Sequence, residues 1–236
     1  MPPAQGRVAR FRYLASYLIL SEMSAHKEFT PKNESYVKKF DKGDLAIPPS
    51  KGYIIITCMD ARVEPASQLG VGLGEAHVIR NAGGSAVDAL RSVIISQRLL
   101  GTREIAVIRH KDCGMLSFET NQLRNIVKDA DPGNTAVTKA VDNIDFLTFN
   151  NLEESVKQEV KYLQEHPLVL KDTVVTGWVY DVRTGKSRRR LPVVYDSTMY
   201  LYSSNGEQLG YEAQRQPYAD SDLNALAPDS RTDHGQ

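Results

Sequence analysis

Two short runs constrain this chain more than any other feature. "YIIIT" at 53–57 and "EIAVI" at 104–108 are apolar and rich in β-branched residues. A strand covered on both faces of a parallel sheet reads this way, whereas a half-exposed strand alternates. Between them lie a short helix ending in glycines, "EPASQLGVGLG", a strand and turn, "AHVIRNAGG", and a helix, "AVDALRSVIISQRLLG", that Gly101 terminates. This order predicts an α/β fold with a central, mostly parallel β-sheet flanked by helices through right-handed crossovers.

The remaining segments are consistent with that frame. In "ESYVKKF" at 34–40, Tyr36, Val37 and Phe40 share a helical face that Gly43, Pro48 and Pro49 then break. "NLEESVKQEVKYLQEHP" predicts a helix with Val156, Val160 and Leu163 on one face, stopped by Pro167. "VVTGWVYDVRTGK" predicts a strand turning at "TGK". Within 119–152 only the loop "DADPGNTA" is assigned, and beyond about Arg190 the periodicity fades into a polar tail read as disordered. The expected organisation is an α/β domain over 23–190 between extensions at 1–22 and 191–236.

Charge and cysteine content exclude several classes. The 29 Lys and Arg balance 29 Asp and Glu, and the one short basic block is "SRRR" at 187–190, so neither nucleic acid nor a membrane surface is an expected partner. Two cysteines are too few for a disulfide framework, which favours a reducing, cytoplasmic setting. The segment "RVARFRYLASYLILS" carries Arg7, Arg10 and Arg12 with no acid before Glu22. It reads as a mitochondrial-type presequence, a weak secretory signal or an amphipathic helix, and Met23 offers a second start.

Chemistry concentrates at the ends of the two apolar strands. Cys58 in "TCMDAR" leaves one, and His110 and Cys113 in "RHKDCGM" leave the other. The C-terminal edge of a parallel sheet is where α/β sites are built, so neighbouring strands would bring these three groups onto one ion. Two thiolates and an imidazole suit Zn²⁺, with a fourth position for water or another protein group. Taken singly, either cysteine reads as a small buried hydrophobe and His110 as a core histidine; a Cys58–Cys113 disulfide is the other alternative. "GVGLG" at 70–74 follows a helix and precedes a strand, the reverse of a dinucleotide fingerprint. His26, His77, His166 and His234 read as surface or structural residues, and Trp178 as core.

The residues Cys58, Asp60 and Arg62 in "CMDAR", His110 and Cys113 in "HKDC", the "RNAGG" turn at 80–84 and the late "VYDVRTGK" resemble the β-class carbonic anhydrase family over roughly Glu34 to Lys186. Ala61 resembles its small microbial and fungal branch. The resemblance implies zinc held by Cys58, His110 and Cys113, a hydrogen-bonded Asp60–Arg62 pair beside it, and a homodimer or homotetramer. The expected pocket residues are Ala82 and Gly83 in the glycine turn and Gly114 after the second cysteine. Zinc makes bound water acidic enough to supply hydroxide near neutral pH, which Asp60 would orient while Arg62 keeps Asp60 off the metal. The expected reaction is reversible hydration of carbon dioxide to bicarbonate. The alternatives are hydrolysis of carbonyl sulfide or carbon disulfide on the same scaffold, and a non-catalytic zinc protein closed by Asp60. Two departures stand out: Arg109, where many relatives have glycine, which bears on the pocket entrance, and the chain after Ser187.

Overall fold

The computed structural model describes residues 24–190 and the backbone of two short strands, Leu201–Tyr202 and Gln208–Leu209. The expectations for residues 1–22, for His234 and for the tail after Arg190 lie outside the described residues, those two strands apart.

The apolar runs form neighbouring strands. Strand β1 (Tyr53–Cys58) lies between β2 (Ala76–Asn81) and β3 (Glu104–His110), parallel to both. Strand β4 (Val174–Asp181) extends the parallel sheet beside β3, and β5 (Lys186–Arg189) returns antiparallel after the "TGK" turn. The order is β2-β1-β3-β4-β5. The expected fold class is the observed one.

Between and around these strands run α1 (Phe29–Val37), α2 (Pro65–Leu69), α3 (Ala86–Leu100), α4 (Thr120–Ala130), α5 (Thr135–Asp142) and α6 (Leu152–Glu165). Local chemistry sets their ends. Ser85 caps α3 by accepting from the Asp88 N–H, Asn134 caps α5 and Asn151 caps α6. Gly101 ends α3 in the left-handed conformation, as its position in the sequence predicts.

One sheet face is packed against helices. Ile54, Ile56, Ile105, Val107 and Val175 meet Ala86, Ala89 and Val93 of α3 and Val160 and Leu163 of α6. Each Ile, Val or Leu side chain so removed from water contributes roughly 1.5–3 kcal/mol. Ile55, Val63, Ile108 and Tyr180 form a smaller cluster on the opposite face, with Tyr53, Val71 and half-buried Trp178 against it. Trp178 therefore belongs to packing, its indole N–H donating to Thr176.

Two segments differ from the sequence reading. Helix α1 begins earlier than "ESYVKKF" and stops at Val37, leaving Phe40 beyond its end; Tyr36, Val37 and Phe40 are all exposed, so no core face fixes their helical register. The unassigned 119–152 region holds α4 and α5, of which α4 buries no residue fully and so offers little core pattern to read.

The glycine turn after β2 is fixed by close approach. A Cβ on Gly84, whose φ is +66°, would lie 3.0 Å from the Thr57 carbonyl carbon and 3.1 Å from the Cys58 nitrogen. Backbone therefore packs on backbone at the end of β1. Gly101 shares the positive φ but meets nothing within 4 Å. Gly101→Ala is expected to cost about 1–2 kcal/mol, the left-handed penalty alone, whereas Gly84→Ala must also displace β1 and should lower the thermal unfolding midpoint distinctly further.

Candidate metal centre

Parallel pairing of β1 with β3 brings Cys58 and His110 to the same sheet edge, and a two-residue turn returns Cys113 to them. Asp112 makes that turn with a φ of 58°, a conformation Asp tolerates better than most residues. The ligand atoms of Cys58, His110 and Cys113 all lie within 4.8 Å of one another, and all three residues are buried. Among the described residues this is the one such group.

The geometry selects among the readings left open by the sequence. The two sulfurs are 4.0 Å apart and both cysteines are free, so they form no disulfide. Two zinc–sulfur bonds of about 2.3 Å at a tetrahedral angle would place sulfurs about 3.8 Å apart. His110 Nδ1 faces the Lys111 carbonyl at 2.9 Å and can only donate to it, which leaves Nε2 as the acceptor. That nitrogen is buried with no hydrogen-bond partner. A buried lone pair beside two sulfurs is a fitting donor set for zinc.

Without metal, the sulfurs share a proton. The Cys113 thiol, with help from His110 and the backbone of Asp60 and Gly83, lowers the Cys58 thiol to about 4 against the opposing effect of burial. Cys113 moves upward because it donates to Cys58 and is desolvated. Burial disfavours the His110 cation, but the Cys58 thiolate and the Lys111 carbonyl outweigh it and raise the imidazole's pKa above 6.5.

Beside this group, Arg62 clamps Asp60. Arg62 Nε and Nη2 donate to the two carboxylate oxygens at 3.0 and 2.7 Å, and the Arg62 backbone N–H adds a bond of 2.8 Å. These bonds hold Asp60 far below the usual carboxylate range. Asp60 Oδ2 still comes within 3.7 Å of His110 Nε2, so the carboxylate faces the three-ligand group.

Two participants carry no role in the sequence reading. Asp112 accepts Arg62 Nη1 at 2.8 Å through its carboxylate and Nη2 at 2.9 Å through its carbonyl, bracing the clamp from the second motif. Arg80, the first residue of "RNAGG", donates to the carbonyls of Cys58 and Asp60 and so holds the loop that carries both. Both stand inside the recognised motifs, which is the signal that marks them.

Of the expected pocket residues, Gly83 is buried with its backbone against Cys58, whereas Ala82 and Gly114 are exposed at the starts of two short turns. None of them lines the cavity of about 830 Å³ that Phe149 bounds together with residues of 116–124 and 145–150. Arg109 is not at an entrance. It is buried, ion-paired with Glu159, and its guanidinium lies 4.1 Å from the centroid of the Phe149 ring. His77 bonds Ser96 and His166 accepts from the Leu168 N–H, both structural contacts.

Similarity to known proteins agrees with this geometry. Residues 53–187 match the carbonic anhydrase family profile. The chain belongs to the β-carbonic anhydrase family. It is 39% identical over 171 residues to β-carbonic anhydrase 1 of Mycobacterium tuberculosis, covering 72% of this chain and 100% of that protein. A carbon disulfide hydrolase of an Acidianus species is 33% identical over 183 residues, covering 70% of this chain and 88% of its own. The solved structure of a carbonic anhydrase from Glaciozyma antarctica superposes with a TM-score of 0.66 at 48% identity, covering 68% of this chain and 95% of that one.

The protonation pattern gives this carbonic anhydrase family member a defined pH response. Zinc must displace the proton shared by the sulfurs and, below its raised pKa, the proton on His110. Zinc titrated into metal-free protein should bind more tightly as pH rises through neutrality, by about tenfold per pH unit for each proton displaced. A competition assay against a chromophoric chelator measures this.

Proposed function

We propose that this protein is a zinc enzyme catalysing reversible hydration of carbon dioxide to bicarbonate. The observation that carries the reading is the joint placement of the buried Cys58–His110–Cys113 group and the Asp60–Arg62 clamp facing it. Cys58, His110 and Cys113 would hold zinc through two sulfurs and Nε2. Bound zinc supplies Lewis-acid activation of water at neutral pH.

The chain's own residues do the rest. Asp60 lies close enough to accept a hydrogen bond from the attacking water and so direct its lone pair at the substrate carbon. Arg62 occupies both Asp60 oxygens, and Asp112 takes two further donors of Arg62, so the carboxylate stays off the three-ligand group. That arrangement speaks against a site permanently closed by Asp60. Ala82, Gly83 and Gly114 are the residues assigned to the substrate pocket, Gly83 with its backbone beside Cys58.

A second reading is hydrolysis of carbon disulfide or carbonyl sulfide, supported by similarity to the Acidianus carbon disulfide hydrolase. The same attack on a linear carbon electrophile serves both. We further infer a homodimer or homotetramer in the cytoplasm. The assembly is supported by a groove of about 560 Å³ on the sheet face opposite the main core, where Ile55, Ala106, Ile108 and Trp178 are flanked by Glu104 and Arg189. The two free thiols support a reducing compartment over a secretory one.

Purified protein of measured zinc content, assayed side by side for carbon dioxide hydration and for hydrogen sulfide release, tests the reading. Fast hydration with slow sulfide release is the expected result; the reverse ratio would transfer the assignment to the sulfur substrates. Asp60→Asn and Arg62→Ala are each expected to keep zinc and lose on the order of 100-fold or more in kcat/KM. A zinc-replete variant of either kind with full activity would overturn the role given to the clamp.

A further inference from the structure

The Arg109–Glu159 pair is buried and plays no part in the chemistry above. A buried ion pair is a poor source of stability, because desolvation offsets most of its attraction. Its position supplies a different reason for its presence. The register that aligns Thr57 with Ile108 places Cys58 beside Arg109 at the next step. Ile54 and Ile56 share the helix-side cluster with Ile105 and Val107, so the same alternation turns Cys58 and Arg109 to one face.

The surrounding contacts orient the charge. Glu159 Oε1 pairs with Arg109, while its other oxygen accepts the Ala86 N–H in the first turn of α3. The anion is thus drawn toward the positive end of a helix. The guanidinium stacks on Phe149, and Phe149 packs against the cluster of Cys58, Cys113 and Met115. Arg109 Nε is buried without a hydrogen-bond partner, so the side chain does not merely complete a local network. The attraction of Arg109 reaches both sulfurs, whereas the carboxylate of Glu159 acts on Arg109. Sulfur, guanidinium, carboxylate and helix N-terminus therefore alternate in sign through the interior.

We infer that Arg109 is a positioning residue of the metal centre: held by Glu159 and Phe149, its buried cation backs the two sulfurs and stabilises them as a paired anionic metal site. The inference rests on the metal-binding reading but not on the identity of the substrate. Glycine at this position would leave the sulfurs without that charge.

The double variant Arg109→Met with Glu159→Gln removes both charges without stranding either, and the carbonyl of the introduced amide can still accept the Ala86 N–H. It is expected to melt within a few degrees of the parent yet lose zinc to a chelator about tenfold or more readily, the lower end of what lost outer-sphere partners cost. Its kcat should fall while KM holds. Single Arg109→Lys and Arg109→Met variants form a second comparison in which both lose the planar fork and only the lysine variant keeps the charge; that variant should retain zinc about tenfold better. A folded double variant that holds zinc like the parent, or equal zinc retention by the two single variants, would overturn the inference. Because zinc retention is read without turnover, an enzyme inactive on carbon dioxide would leave the inference standing.

Discussion

Everything at the metal centre depends on the parallel pairing of β1 with β3. The pairing is dictated by two apolar runs that can only be buried with both sheet faces covered or partly covered. Its register sets Tyr53 against Glu104 and carries through to the sheet edge, where Cys58 and His110 emerge together. Thr57 Oγ1 donating to the Ile108 carbonyl at 2.9 Å ties the two strands one step before the ligands begin. Slippage by one residue would turn every β1 side chain to the opposite face and separate Cys58 from His110 and Cys113.

Around that edge the protein surrounds a compact group of anions with donors and cations. Gly83 backbone, the Cys113 thiol and His110 act on the Cys58 sulfur, Arg109 stands behind the pair, and Arg62 and Arg80 hold the loop in front. Arg62 bonds Asp60 and Asp112 together, so a single guanidinium links the first metal-site motif to the second. The planar fork explains why arginine serves here: it engages two carboxylates and a carbonyl at once, which a point-charge ammonium does not.

Much of this was legible in the chain itself. The strand order along the sequence, the helices with clear apolar faces, the C-cap at Gly101 and the fold class follow from periodicity and turn residues. Cys58, His110 and Cys113 were readable because sulfur and imidazole stand at strand ends, and Asp60 and Arg62 because they share their turn. Helices α4 and α5 were not readable, since α4 buries no residue fully and α5 buries only Val141. Arg109 was visible as an unusual residue but misplaced at an entrance, because a charged side chain beside a site is ordinarily solvent-facing.

The sequence by itself determined which atoms could bind a metal and which strands had to be buried, because residue chemistry and local period are properties of short segments. The tertiary structure alone decided which of those atoms meet. Arg62 reaches Asp112 across 50 positions, Arg109 reaches Glu159 across 50, and Glu159 caps the start of α3 across 73. Such contacts follow from sheet order and helix packing, which join segments far apart in the chain, and so no local pattern encodes them.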